Sequence, residues 1–89
     1  MARVCFTPQL KRFLAAPEVS TAARTLRAAL DDAFAGNPRL RGYVLDDQGS
    51  LRANVVVFID GQRDVERDRL DAPLRPDSVV YVMQALSGG

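Results

Sequence analysis

Residues 21–38, TAARTLRAALDDAFAGNP, have the clearest helical periodicity in the chain. Their apolar residues recur at the spacing that forms a stripe along one face of a helix, and the charged residues lie mostly outside that stripe. The apolar positions of that stripe are Ala23, Leu26, Leu30, Ala33 and Phe34. The pattern predicts one amphipathic helix over residues 21–35.

The two ends of this helix are marked differently in the sequence. Gly36 and Pro38 follow the last apolar position, which predicts that the helix ends there with Gly36 as a left-handed cap. The start is less defined, because a serine or threonine hydroxyl can accept a hydrogen bond from the first turn at several positions. Ser20, Thr21 and Thr25 are all candidates for the N-cap.

Short segments rich in β-branched and aromatic residues lie on both sides of the helix. Before it, residues 2–7 are predicted to form a strand and residues 18–22 a candidate second strand. After it, the predicted strands are residues 42–46, 53–59 and 79–83, and residues 62–71 mix a short strand with loop. Turns are predicted at residues 47–49, 60–61 and 76–78.

This order of elements predicts an α+β domain in which one main helix packs on a mixed sheet of four to five strands. The two strongest strands, residues 53–59 and 79–83, are apolar on both faces. Since one helix covers only one face of a sheet, the other face should meet a partner or be covered by the apolar residues 10–14. The sequence leaves these two alternatives open.

The composition argues against catalysis by the chain itself. The 89 residues are enough for one domain with a modest core, and they include no histidine and no glycine-rich phosphate or dinucleotide loop. We therefore predict a protein that is not an enzyme and binds no metal or cofactor.

Cys5 lies in a strand pattern and is predicted to be a buried structural thiol. Asp46 and Asp47 precede Gln48 and Gly49, which favours a solvated turn over a metal site.

The distribution of charge and apolar residues limits the partners. Positive and negative residues are scattered along the chain for a net charge of +1, without a basic stripe. This pattern predicts no binding to nucleic acid. No segment is apolar and long enough to span a bilayer, and the first residues lack the features of a signal peptide. We therefore predict a cytoplasmic protein that does not bind membranes.

The chain ends in two glycines, Gly88 and Gly89, shortly after the last predicted strand. Residues 84–89 are predicted to form a flexible tail on a single domain of residues 1–89. Because glycine has no side chain, such a tail can pass through a narrow channel to the ATP of another enzyme. Taken alone, the two glycines are also compatible with a frayed end that has no function.

Motifs along the whole chain resemble the MoaD/ThiS family of ubiquitin-like sulfur carriers. In order, they are FAGNP at 34–38, LRGYVL at 40–45, DQGSLR at 47–52, VFIDG at 57–61, LRPDSV at 74–79 and MQALSGG at 83–89. The resemblance implies the β-grasp fold, a second strand near residues 18–23 and Thr25 as the helix cap. It also implies that the carboxylate of Gly89 is the group that reacts.

The same resemblance implies a mechanism in which the partner proteins supply all catalytic groups. An adenylating enzyme of the MoeB/ThiF type, using ATP and Mg, would convert the Gly89 carboxylate into an acyl-adenylate. A sulfur donor protein would then leave a thiocarboxylate, and a biosynthetic enzyme would accept its sulfur. The tail residues that the adenylating enzyme would recognise are Ala85, Leu86, Ser87 and Gly88.

Two other functions use the same features. In the first, the chain is a ubiquitin-like modifier, and activated Gly89 is joined to a lysine of a target protein. In the second, the chain is an interaction module that uses the apolar sheet face, and its tail has no role. Removal of the two glycines would leave the activity of such a module intact.

Overall fold

The computed structural model describes residues 1–6 and 18–84, and within these ranges it has five strands and two helices. In chain order they are β1 (Ala2–Phe6), β2 (Glu18–Thr21), α1 (Leu26–Ala35), α2 (Pro38–Val44), β3 (Val55–Ile59), β4 (Gln62–Asp64) and β5 (Val79–Gln84). The strands form one sheet in the order β2-β1-β5-β3-β4. Strands β1 and β5 are parallel and the other neighbours are antiparallel, which confirms the predicted mixed sheet.

The core lies between one face of this sheet and the two helices. Alternate residues of each central strand point inward, and Val57, Val80 and Val82 are fully buried. Helix α1 contributes Leu26, Ala29, Leu30, Ala33 and Phe34 to the same cluster. Complete burial of a valine or leucine side chain stabilises the fold by about 1.5–3 kcal/mol. This cluster therefore holds the helices on the sheet.

Helix α1 begins at Leu26, five residues later than the apolar periodicity predicts. Thr25 is in an extended conformation, and its hydroxyl oxygen accepts a hydrogen bond from the Ala28 N–H at 3.3 Å. Thr21 instead ends β2, where it lies opposite Ala2 of β1. The predicted start at residue 21 is therefore wrong, and the Thr25 cap that the family resemblance implies is confirmed.

A distant loop completes the start of α1. The backbone N–H groups of Leu26 and Arg27 donate hydrogen bonds to the carbonyl oxygens of Ala72 and Leu70, at 2.9 and 2.7 Å. The first N–H groups of a helix have no partner within the helix, so these bonds satisfy donors that would otherwise need water. Leu70 is fully buried and has a φ of 56°, a left-handed conformation that is rare for leucine.

Glu66 holds this loop in place. Its carboxylate accepts hydrogen bonds from the backbone N–H groups of Asp68, Arg69 and Leu70, at 2.7, 2.6 and 2.5 Å. These donors, that of Arg69 first, lower the pKa of Glu66 below its ordinary value of 4.5. The ionised side chain thus orders the segment that receives the helix N-terminus.

Residues 42–46, predicted to be a strand, lie instead in helix α2 and just after it. Pro38 occupies the first turn of α2, where its fixed φ suits a helix, and the buried Leu40 and Val44 are one turn apart. The predicted conformation of Gly36 is also wrong, since its φ is −81°. Helix α1 ends because Asn37, before the proline, leaves the helical conformation, with a φ of −154° and a ψ of 81°.

The predicted turns are confirmed. Asp60 and Gly61 both have positive φ, at 50° and 85°, as the two-residue turn between β3 and β4 requires. The Asp46 carboxylate accepts hydrogen bonds from the N–H groups of Gln48 and Ser50, at 2.9 and 3.0 Å. Asp46 therefore organises a turn, as predicted.

Neither helix in the described ranges is long and apolar enough to cross a membrane.

The Thr25 cap can be tested by substitution. Thr25→Ala removes the hydroxyl that accepts from the first turn, so we expect the free energy of unfolding to fall by about 1 kcal/mol. Thr25→Ser keeps the hydroxyl and should change the stability much less. Urea unfolding followed by circular dichroism measures both. Equal stability of the alanine and serine variants would contradict the assigned cap.

The carboxylates that order the loops predict a loss of stability in acid. The pKa of Glu66 is lower in the folded chain than in the unfolded chain, so its contribution is complete above pH 4.5 and is lost as the pH falls through the lowered value. The pKa of Asp60 is lowered in the same sense by the Val79 N–H and the Ser78 hydroxyl. The urea unfolding midpoint should therefore decrease as the pH is lowered from about 6 to 3.

Glu66→Gln should lower the urea midpoint at pH 6 and weaken its pH dependence. Asp47→Asn is the matched control, because Asp47 is exposed and no hydrogen bond of its side chain is found within residues 1–6 and 18–84. A pH dependence that survives Glu66→Gln unchanged would show that Glu66 does not carry the effect.

Candidate functional site

The predicted reactive tail starts at the end of the central strand of the sheet. Gln84, which the sequence pattern assigns to the tail, is the last residue of β5 and lies opposite Val55 of β3. The five residues predicted to react or to be recognised follow it and lie outside the described residues: Ala85, Leu86, Ser87, Gly88 and Gly89. The structure therefore defines where the tail begins.

That starting point is held on both sides by the sheet. On one side Val82 of β5 lies opposite Phe6 of β1, and on the other Gln84 lies opposite Val55. Five residues of fully extended chain reach at most about 17 Å. Any enzyme that reacts with the carboxylate of Gly89 must therefore place its active site within about that distance of the end of β5.

An apolar surface lies directly beside this point. We call it the outer sheet face, and it consists of Val56, Phe58, Val79, Tyr81 and Met83. Tyr81 and Met83 alternate with the buried valines of β5 and are 50% and 37% exposed. Met83 lies opposite Val56 and Tyr81 opposite Phe58. Large exposed apolar side chains that are contiguous on a small domain are typical of a binding surface.

The two helices leave the outer sheet face uncovered, because both pack on the opposite side of the sheet. Cover by residues 10–14, the alternative to a partner, lies outside the described residues. Cys5 is in register with Tyr81, so it lies on the outer side of β1, yet it is only 9% exposed. Its burial confirms the predicted environment of the thiol.

A concave region of about 760 Å³ lies elsewhere, between the turn at residues 46–50 and the loop at residues 65–68. Several of its polar side chains already have internal roles. Glu66 binds backbone N–H groups, and a guanidinium nitrogen of Arg67 donates to the carbonyl oxygens of Arg52 and, at 2.7 Å, Val55. Among the residues that the structure describes, no group of three or more His, Cys, Asp or Glu side chains is placed to hold a metal ion.

Sequence reasoning identified the apolar character of both strand faces but not the residues that remain exposed. The alternation of β5 alone does not say which face the helices cover. That choice follows from the inward position of Val80 and Val82, and it leaves Tyr81 and Met83 outside.

Comparisons with solved structures identify the fold. SAMP1 from Haloferax volcanii is 20% identical, with a TM-score of 0.83 over 99% of this chain and 98% of that chain. The matched chain of the Amycolatopsis orientalis BexX/CysO complex is 14% identical, with a TM-score of 0.84 over the whole of both chains. Mycobacterium tuberculosis CysO is 17% identical, with a TM-score of 0.81 over 97% of this chain and 100% of that chain.

No protein-family model and no curated protein sequence matches the chain. At these low identities the similarity concerns the fold, which is the β-grasp fold of ubiquitin-like proteins. The β-grasp prediction is thereby confirmed.

The outer sheet face should be dispensable for folding. Tyr81→Thr keeps a residue suited to strands at an exposed position, so we expect the free energy of unfolding to change by no more than about 0.5 kcal/mol. Val82→Thr, the neighbouring substitution, places a hydroxyl in the core and should cost about 1–3 kcal/mol. Urea unfolding of both variants tests this. A large loss of stability for Tyr81→Thr would assign the outer face to the core.

Proposed function

We propose that the chain is a ubiquitin-like sulfur carrier that is adenylated and then thiocarboxylated at Gly89. The observation that carries the proposal is a Gly-Gly terminus that follows the central strand of a β-grasp sheet, with Gly89 seven residues after the last inward valine, Val82. The motifs shared with the MoaD/ThiS family support this assignment. The solved structures that match the chain support its fold.

The chemistry requires activation because a free carboxylate is a poor acyl donor. A carboxylate oxygen of Gly89 attacks the α-phosphorus of ATP, the bond to pyrophosphate breaks, and an acyl-adenylate forms. Hydrosulfide supplied by a donor protein then attacks the acyl carbon, the bond to AMP breaks, and a thiocarboxylate remains. Its sulfur is nucleophilic and is passed to the acceptor enzyme. In this proposal a MoeB/ThiF-type enzyme binds the ATP and Mg.

The tail and the outer sheet face have separate tasks in this reaction. Gly88 and Gly89, which lack side chains, enter the narrow channel that leads to ATP. The enzyme recognises the part of the tail before them, which consists of Ala85, Leu86 and Ser87. Because the tail is short, the enzyme must hold the domain close to the end of β5. The outer sheet face is the apolar surface nearest to that end and is our proposed contact.

A ubiquitin-like modifier is the second candidate, and a specific observation favours keeping it. A matched structure from Haloferax volcanii is that of small archaeal modifier protein 1. Both functions begin with the same acyl-adenylate and differ in the nucleophile that attacks it. Sulfur gives a thiocarboxylate, whereas the amine of a target lysine gives an isopeptide bond.

Mass spectrometry of the intact chain tests the proposal and separates the two functions. After incubation with an adenylating enzyme of the same cell, ATP, Mg and a sulfur source, the chain should gain the mass difference between one sulfur and one oxygen. Deletion of Gly89 should abolish the gain. An unchanged mass together with high-mass conjugates that require Gly89 would favour the modifier. If neither the mass gain nor the conjugates were found, activation of the tail would be contradicted.

A further inference from the structure

The strand registers place five residues in one row across the outer side of the sheet. Residues that lie directly opposite each other in neighbouring strands point to the same face. The row runs from β2 to β4 through Glu18, Cys5, Tyr81, Phe58 and Arg63. At the usual spacing between strands it is about 19 Å long. Its middle is apolar, and a charged residue stands at each end.

The two ends of the row differ in how their charges are compensated. At the β2 end, the Glu18 carboxylate lies 3.6 Å from the guanidinium group of Arg3, so the two charges offset each other. At the β4 end, Arg63 is exposed, and no ion pair or hydrogen bond of its side chain is found within residues 1–6 and 18–84. Among the described residues of the row, Arg63 is therefore the one whose charge is uncompensated.

The acidic residues nearest to Arg63 are engaged elsewhere. Asp64 lies opposite the buried Val57, so it points to the core side of the sheet and away from Arg63. Asp60 accepts hydrogen bonds from Ser78 and the Val79 N–H. The charge of Arg63 is thus available to a partner.

We propose that Arg63 fixes the orientation of the docked domain by pairing with a carboxylate on the adenylating enzyme. This inference rests on the proposed function. Apolar contact is not directional, so Tyr81 and Met83 alone would allow the domain to dock in more than one orientation. Rotation about the contact would point the short tail away from ATP. One charge pair at the rim, beside β4, selects the orientation in which Gly89 reaches the active site.

The proposed partner surface therefore has two defined chemical features. It offers an apolar patch to Tyr81 and Met83 and an aspartate or glutamate to Arg63. A guanidinium group can bind such a carboxylate through two parallel hydrogen bonds, which adds directionality that an ammonium group lacks. Charges at the rim of an interface act mainly on the rate of association and its salt dependence.

The rate of thiocarboxylate formation tests this role, measured against chain concentration with the adenylating enzyme that loads the wild-type chain. For Arg63→Glu at low salt, the half-saturating concentration should rise by about tenfold, with the saturating rate unchanged. The difference should shrink at high salt because screening weakens the pair. Arg63→Gln should show an intermediate rise, and thermal unfolding verifies that both variants fold.

Arg39→Glu is the matched control. Arg39 is an exposed arginine of α2, the helix that packs on the opposite side of the sheet through Leu40 and Val44. The control should load like the wild type. Equal behaviour of Arg63→Glu and Arg39→Glu, with a loaded wild type, would overturn the role of Arg63 and leave the proposed function intact. A wild-type chain that is never loaded would overturn the proposed function itself.

Discussion

Strand β5 pairs with β1 on one side and with β3 on the other, and this pairing organises the sheet. It joins the N-terminal strand, in parallel, to the last strand of the described chain. A parallel pair needs a long crossover, and that crossover contains the helices that cover the core. Because β5 is central, its inward residues Val80 and Val82 are fully buried. The predicted C-terminal tail therefore follows the central strand of the sheet.

The alternation of side chains along β5 assigns stability and recognition to different residues of one strand. The inward valines contribute to the core, whereas Tyr81 and Met83 remain exposed beside the start of the tail. In the proposed function the partner enzymes supply the catalytic groups. The domain then has to hold the Gly89 carboxylate within reach of a surface that a partner can bind. The proposed division of roles between Arg63, the apolar centre and the glycines follows from that requirement.

Much of this arrangement was predictable from the sequence, and the exceptions have physical reasons. Strands β1, β3 and β5 follow from runs of β-branched and aromatic residues, and the Asp60-Gly61 turn follows from turn chemistry that depends on near neighbours. The start of α1 was not predictable from periodicity. Ala23 fits the apolar stripe of the predicted helix, but its backbone belongs to the segment that connects β2 to α1. The resemblance to the MoaD/ThiS family indicated the Thr25 cap, which the periodicity alone did not.

Helix α2 was missed because a seven-residue helix has room for only two buried positions, Leu40 and Val44. Two apolar residues are too few for a helical period, and the neighbouring β-branched and aromatic residues favour a strand. The row that ends at Arg63 was also beyond sequence reasoning. Its members come from five strands, and only the registers bring them into line.

We propose that the adenylating enzyme contacts the outer sheet face and the tail together. NMR cross-saturation from that enzyme to the isotope-labelled chain measures this contact. We expect saturation to reach Val56, Phe58, Tyr81 and Met83 and to fade across the helices. Saturation centred on α1 and α2, with β3 and β5 unaffected, would contradict it.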